Sequence, residues 1–401
     1  MNNAAIPRRD PGAGHAAPGQ ALGYLYQFDL ALLELIRASA TQPSIGTTLE
    51  LLDDVAFEVG GDPTELLQVK HHLNRAASLS DRSADLWRTI GSWLDVVQEN
   101  HLSLDQLRLT LVTTSTASPG SAAASLRRGP GRDVGLALKR IRAEAADPPS
   151  DATGDSYRAF ARLSLERQEQ FVSSMTVADR APAAEATPDT IAQEVRFATE
   201  PQFRSALVDR LLGWWHRRVL GHLSGDRTAV LAYQEVEQVI ADLRDQFKAD
   251  NLPIDILTDD PGLARLSADD RMFVMQLQLI ALGTPALEIA IRDYKRAFLQ
   301  RQRWLEDGLV APEELARYED KLLDEWEHIR ALAPQEMDEP QQVAFGVRAY
   351  ERTQGLTLWI RDRCQEPFVL RGTYHMMSEE LRVGWHPDFV ARLRGLIGNA
   401  A

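Results

Sequence analysis

The fold is decided by LLDDVAFEVGGDPTELLQVKHH, residues 51–72. An acidic pair, Asp53 and Asp54, opens one apolar run. A Gly-Gly-Asp-Pro turn follows, and the second apolar run carries a lone Gln68 and a lone Lys70. Residues 48–59 mix β-branched and apolar side chains and are expected to form a strand. GGDP is a turn, and residues 64–72 are a second strand. Side chains alternate across a strand, so Gln68 and Lys70 share one face while Leu67 and Val69 share the other. On the first strand Glu50, Asp54 and Glu58 share a face, with Asp53 opposite. Paired about the turn, the hairpin gathers Asp54, Gln68 and Lys70 on one side.

That set has a chemistry. A carboxylate (Asp54), an amide oxygen (Gln68) and the backbone carbonyl between Gln68 and Lys70 (Val69) suit Mg²⁺, a hard cation that takes oxygen donors and keeps water ligands. Such an ion lowers the pKa of a bound water and stabilises a pentavalent phosphate. Lys70 beside it would stabilise developing negative charge or orient the water. This is the equipment of phosphodiester hydrolysis. The same residues also suit a plain structural role, with two acids at a strand start and one Lys on a solvent face. The pattern alone leaves both readings open.

Outward from the hairpin, residues 21–39 have dense apolar spacing and good helix formers and are expected to be a buried helix. Residues 79–100 begin with capping residues and continue at helical spacing, and residues 104–116 alternate as a strand. Helix, hairpin, helix and strand make a small mixed α/β domain. From about Val134 nearly everything is expected to be helical, including the amphipathic stretches 204–223, 231–247 and 287–304. The expected organisation is a disordered lead-in (1–20), an α/β domain with a helical extension (21–225) and a helical C-terminal domain (226–401).

The 401 residues carry a net charge of −14, a poor prior for gripping nucleic acid. The charge is unevenly spread, however. Residues 21–118 are predominantly acidic, and residues 119–144 are basic. Arg127, Arg128 and Arg132 within RRGPGR are therefore the candidate contacts to a phosphate backbone, on a loop expected to be mobile. Arg292, Lys295, Arg296 and Arg303 form a second basic stripe. Either run also suits a solvated helix face. One cysteine, Cys364, excludes a disulfide framework or a cysteine zinc site within the chain. No run of apolar residues approaches bilayer length and the N-terminus lacks a signal-peptide core, so the expectation is a cytoplasmic protein with no membrane contact. DEWEH (324–328) has the wrong ligand order for a zinc helix, and there is neither GxxxxGK[ST] nor GxGxxG. His71, His72, His375 and His386 read as structural, and Trp214 and Trp215 as core or interface.

Asp54 and Gln68-x-Lys70 on a hairpin, preceded by a helix and followed by helix and strand, resemble the PD-(D/E)xK nucleases in the variant where Gln replaces the second acid. GYLYQ (23–27), LLDDV (51–55), LLQVKHH (66–72) and LSDRSADLW (79–87) resemble the double-stranded-DNA endonuclease domain of CBASS effectors. The same domain caps effector subunits of ABC-three-component, or Lamassu, anti-phage systems. GWWHRRV (213–219), FKADNLPID (247–255) and RGTYHMMSEELRVGWHPDF (371–389) resemble the C-terminal domain of those effectors.

The resemblance implies a restriction-endonuclease-like α+β domain with Asp54, Gln68 and Val69 at Mg²⁺ (or Mn²⁺) and Lys70 as the catalytic lysine. Asp53 is the rival of Asp54. Gln27 and Glu34 on the first helix are further polar contributors. Gln68 in place of an acid lowers the negative charge and implies one metal ion rather than two. The implied activity is cleavage of double-stranded DNA with little sequence preference. The implied partners are an SMC-like ABC ATPase and a small accessory subunit, with the effector held quiet in the complex and acting after release by self-association into a homo-oligomer. The alternative is a catalytically inactive adaptor that links the ATPase to DNA or to another subunit.

Overall fold

The computed structural model describes residues 16–71, 78–149, 153–225, 230–265 and 271–393. Most of the expected lead-in and His72 lie outside them. The chain forms two compact units. Met1–Ala198 with Leu207–Asp242 makes the first, and Thr199–Ala206 with Leu243–Ala401 the second.

The first unit starts with α1 (Ala16–Ser39), which begins inside the stretch expected as lead-in. Its Tyr26, Leu30, Leu32, Leu33 and Leu35 are buried, and each such side chain contributes about 1.5–3 kcal/mol on leaving water. The single strand expected over 48–59 is instead two, β1 (Gly46–Leu49) and β2 (Val55–Val59), paired antiparallel with Leu49 opposite Val55. Residues 50–54 are the turn between them. Glu50 adopts a φ of +55°, and its N–H donates to the carbonyl of Asp54 at 3.3 Å. Clustered acids favour turns because their short side chains bond the local backbone. Strand alternation therefore does not govern Glu50, Asp53 and Asp54. The next turn is tighter than GGDP. Gly60 and Gly61 at φ +65° and +92° connect β2 directly to β3 (Asp62–Lys70), as a two-residue hairpin loop requires. Pro63 is tolerated in β3 because pairing with the next strand on that side begins only at Glu65.

The unit continues through β4 (Ser78–Leu79), α2 (Ala84–Glu99), β5 (Arg108–Thr113), β6 (Thr116–Ala117), α3 (Ala122–Ser125), α4 (Val134–Ala145), α5 (Gly154–Ala161), α6 (Leu165–Ser174), β7 (Met175–Ala178) and α7 (Thr187–Glu194). It closes with most of α8 (Arg204–Ser224), with β8 (Leu231–Ala232) and with the start of α9 (Tyr233–Gln246). The six-stranded sheet has the order β7-β5-β3-β2-β1-β8, parallel across β3, β5 and β7 and antiparallel elsewhere. A second small sheet pairs β4 with β6. Strands β7 and β8 fall where only helix was expected, since runs of four and two residues are too short to display a period of two. On one sheet face Ala56, Leu66, Leu109, Leu111 and Val177 share a core with Leu86, Trp87, Ile90 and Trp93 of α2 and with Tyr157, Phe160 and Phe171. Helix α8 is tied to α1 by Trp215 Nε1, which donates to the Phe28 carbonyl at 2.8 Å, and by His216 Nε2 at 2.6 Å from Asp29 Oδ1.

The second unit is helical, with α10 (Met272–Leu279), α11 (Thr284–Glu306), α12 (Pro312–Ala331), α13 (Glu339–Gln354) and α14 (Pro367–Glu379). Helix α13 opens with a capping box between Asp338 and Gln341. Helices α11 and α14 meet so closely at Gly372 that a Cβ there would lie 2.3 Å from both Ala297 Cβ and the Asp293 carbonyl.

Candidate functional site

Asp54, Val69 and Lys70 line one cleft of about 500 Å³, together with Gln27 and Tyr24 of α1, Glu50, His71 and Asp85. Residues from α1, from the β1–β2 turn, from the end of β3 and from the first turn of α2 thus converge. Asp54 Oδ2 accepts the Gln68 side-chain amide at 2.5 Å and the Val69 backbone N–H at 2.8 Å. Gln68 itself is buried. The expected set of Asp54, Gln68 and Lys70 is brought together, though Asp54 arrives from a turn and not from a strand face.

The acidic pair is divided. Asp54 faces the cleft, while Asp53 turns inward. Its Oδ2 accepts the Trp93 indole N–H at 2.6 Å and its Oδ1 accepts the Asp54 backbone N–H at 2.9 Å. Burial raises the Asp53 carboxyl to about 7, and the Asp54 charge adds to that rise. The two donated hydrogen bonds and Lys70 oppose it without cancelling it.

Gln27 is buried, and its amide donates to Glu50 Oε1 at 3.0 Å. Glu34 is not brought to the cleft. Seven residues along a helix is about 10 Å of rise, and Glu34 pairs there with Arg37 at 2.9 Å. The arginine cluster lies elsewhere as well. Arg127 holds Asp179 through both carboxylate oxygens, and Arg132 donates to the carbonyls of Leu126, Ser173 and Met175, so RRGPGR is pinned to its surroundings. Burial opposes the ionisation of Asp179, yet the Arg127 bonds hold its carboxyl below the usual range. Arg128 remains half exposed and pairs with Glu65 at 2.7 Å.

Glu50, Asp85 and Tyr24 were missed as site residues. Strand alternation puts Glu50 beside Asp54, but it is the turn that brings it there. Asp85 left a weaker signal, as an acid in the first turn of a helix.

His375 and His386 are fully buried in the second unit and do not meet at a common ligand position with other acids or histidines. His375 is enclosed by the rings of Phe273, Tyr350 and Trp385, and burial pushes its imidazole down to about 3. Cys364 is buried. Among the described residues no helix is long and apolar enough to cross a membrane.

Residues 273–393 match C-terminal domain 7 of the ABC-three component (ABC-3C) systems. That match supports membership of an ABC-three-component system. It takes in RGTYHMMSEELRVGWHPDF but not GWWHRRV or FKADNLPID, and GWWHRRV packs in the first unit against α1. No curated protein matches the chain. Two similar solved structures are Cap4 SAVED/CARF-domain containing receptors. That of Moraxella osloensis has a TM-score of 0.34 at 13% identity, over 70% of this chain and 69% of the other. That of Acinetobacter baumannii, bound to the cyclic trinucleotide 2'3'3'-cAAA, has a TM-score of 0.31 at 12% identity, over 74% and 67%. Likeness at that level carries no argument for the fold or for the chemistry of the cleft.

Among the described residues, no three His, Cys, Asp or Glu side chains form a metal-holding group. The donor set of the cleft is of another kind, mixing one carboxylate with an amide and a carbonyl. Its fit to a cation turns on Gln68. The amide now presents Nε2 to Asp54, whereas a cation needs Oε1. Amide orientation is assigned from hydrogen bonding and the two ends are nearly isosteric, so a half-turn of the Gln68 amide presents oxygen beside the Asp54 carboxylate. The set is compatible with one Mg²⁺.

Proposed function

We propose that the first unit is a Mg²⁺-dependent PD-(D/E)xK-type endonuclease that hydrolyses double-stranded DNA with little sequence preference. In this reading it is the effector of an ABC-three-component anti-phage system of the Lamassu kind. The observation that carries the proposal is the convergence of Asp54, Val69 and Lys70 at one cleft, with the buried Gln68 amide bonded to the Asp54 carboxylate. Asp54, Gln68 Oε1 and the Val69 carbonyl would hold the ion, and Mn²⁺ would serve in its place. When bound, that ion supplies an activated water and neutralises phosphate charge. Lys70 lines the same cleft, and its ammonium would stabilise the charge that a scissile phosphate gains there. Glu50 and the Gln27 amide hold the turn that carries Asp54. Among the described residues of the first unit nothing resembles a base-reading module, in keeping with cleavage that is indifferent to sequence.

The ABC-three-component domain in residues 273–393 implies partner subunits. An SMC-like ATPase and a small accessory subunit would keep the effector quiet until its release, and self-association would then raise the local concentration of weakly gripping sites on DNA. The test is plasmid cleavage by the purified chain over a concentration series, with Mg²⁺ or EDTA, beside Lys70→Ala. Cleavage that requires both metal and Lys70 establishes the nuclease, and a steep rise with concentration supports activation by assembly. If cleavage is absent at every concentration, and absent again with DNA ends and the partner subunits present, the chain is an adaptor and the proposal fails.

A further inference from the structure

The buried member of the acidic pair has no place in the chemistry above, yet its geometry is specific. Trp93 sits on α2 and is fully buried. Its indole N–H reaches forty residues back along the chain to Asp53 Oδ2 at 2.6 Å, and the other oxygen of Asp53 receives the backbone N–H of Asp54 at 2.9 Å. A buried carboxylate with one oxygen on a rigid helix and the other on the next residue's amide fixes that residue's backbone. Asp54 is the residue so fixed, and its side chain then meets Gln68 and Val69. The turn that carries it includes a left-handed Glu50, a conformation that is strained for a non-glycine residue and persists only when neighbours hold it.

We propose that Trp93 and Asp53 are positioning residues for the cation site. Trp93 clamps Asp53, Asp53 clamps the Asp54 backbone, and the aim of the Asp54 carboxylate depends on both. This inference rests on the nuclease reading. Outer partners that orient a metal ligand typically govern metal affinity by 10–100-fold, and the clamp is expected to act at the lower end of that range, because Asp54 keeps its own contacts to β3.

The experiment measures Mn²⁺ binding to the full chain by electron paramagnetic resonance, alongside the Mg²⁺ dependence of plasmid cleavage. Trp87→Phe is the matched control. Trp87 lies on the same helix, is equally buried, and also donates its indole N–H, but to the Asp81 carbonyl at 2.8 Å. Trp93→Phe is expected to weaken Mn²⁺ binding about tenfold and to raise the Mg²⁺ needed for half-maximal cleavage, with the rate at saturating metal little changed. Trp87→Phe is expected to lower the melting temperature without changing Mn²⁺ affinity. Equal Mn²⁺ binding by Trp93→Phe and the unaltered chain, or an equal loss in both tryptophan variants, would overturn the clamp. If Trp93→Phe does not fold, Asp53→Asn takes its place with the same expected loss of affinity, since an amide oxygen can serve only one of the two donors. No Mn²⁺ binding by the unaltered chain would instead remove the nuclease reading on which the clamp rests.

Discussion

Replacing Gln68 by Glu restores the acid that a more common metal site would carry, and its consequences follow from one distance. The Gln68 amide donates to Asp54 Oδ2 at 2.5 Å. A hydrogen bond to a charged acceptor contributes about 1.5–3 kcal/mol, and Gln68→Glu removes it. It also sets a second carboxylate against the first. Two such groups do not both ionise freely, so one retains a proton to higher pH. The lost hydrogen bond and the repulsion between the carboxylates together are expected to cost about 3–4 kcal/mol without metal. For a unit of this size that lowers the melting temperature by roughly 6–16 °C. A divalent ion between the carboxylates reverses the sign of the interaction, so saturating Mg²⁺ should recover most of the loss and raise the melting temperature of Gln68→Glu more than that of the unaltered chain. Thermal melts of both proteins in EDTA and across a Mg²⁺ series decide it. A Gln68→Glu chain as stable as its parent in EDTA, or one that Mg²⁺ leaves unmoved, would refute the placement of a cation between residues 54 and 68.

Three further outcomes are expected. His375 is neutral in the fold at about 3 and ordinary when unfolded, so its contribution is complete above pH 6.5 and is lost as pH falls towards 3. At pH 4.5 the loss is about 2.7 kcal/mol, and His375→Gln should flatten the difference between urea melts at pH 7 and pH 4.5 by about that amount; an unchanged difference would sink the assignment. Gly372→Ala forces a methyl against Ala297 and the Asp293 carbonyl, and should destabilise the second unit by about 1–3 kcal/mol in denaturant melts. Arg127→Ala leaves Asp179 with an unpaired charge beside the Ala117 N–H it accepts and should cost about 1–3 kcal/mol, whereas Arg128→Ala, half exposed against Glu65, should cost under 1 kcal/mol on melting.

The sequence makes the chemistry easier to see than the backbone that carries it. Gln68 and Lys70 are legible because a strand has a period of two and β3 keeps it. The amphipathic run of α2 is legible for the same reason at a period near 3.6. Strand alternation does not account for Asp54, since the strand expected over residues 48–59 breaks at Glu50. A left-handed glutamate is invisible in a string of letters, because the propensity scale would have asked for Gly or Asn there. The roles of Asp53 and Trp93 depend on a contact across forty residues that no local window contains. The arginines of RRGPGR look free in sequence because Gly and Pro surround them, yet Arg127 is tied down by Asp179 and Arg132 by the carbonyls of Leu126, Ser173 and Met175. Strands β7 and β8 are too short to announce themselves.

The discontinuity of the first unit has a consequence for its biosynthesis. Its sheet ends at β8, and α1, which carries Gln27, is anchored by Trp215 and His216 on α8. A nascent chain that has emerged only as far as residue 198 holds every residue of the cleft but lacks the strand that covers the edge of β1 and the helix that steadies α1. Completion of that unit waits for residue 242. On the reading proposed above, a ribosome abandoned within the first half of the message would release a fragment without a finished cutting centre, and the order of synthesis itself would keep a truncated product from becoming a hazard to the chromosome.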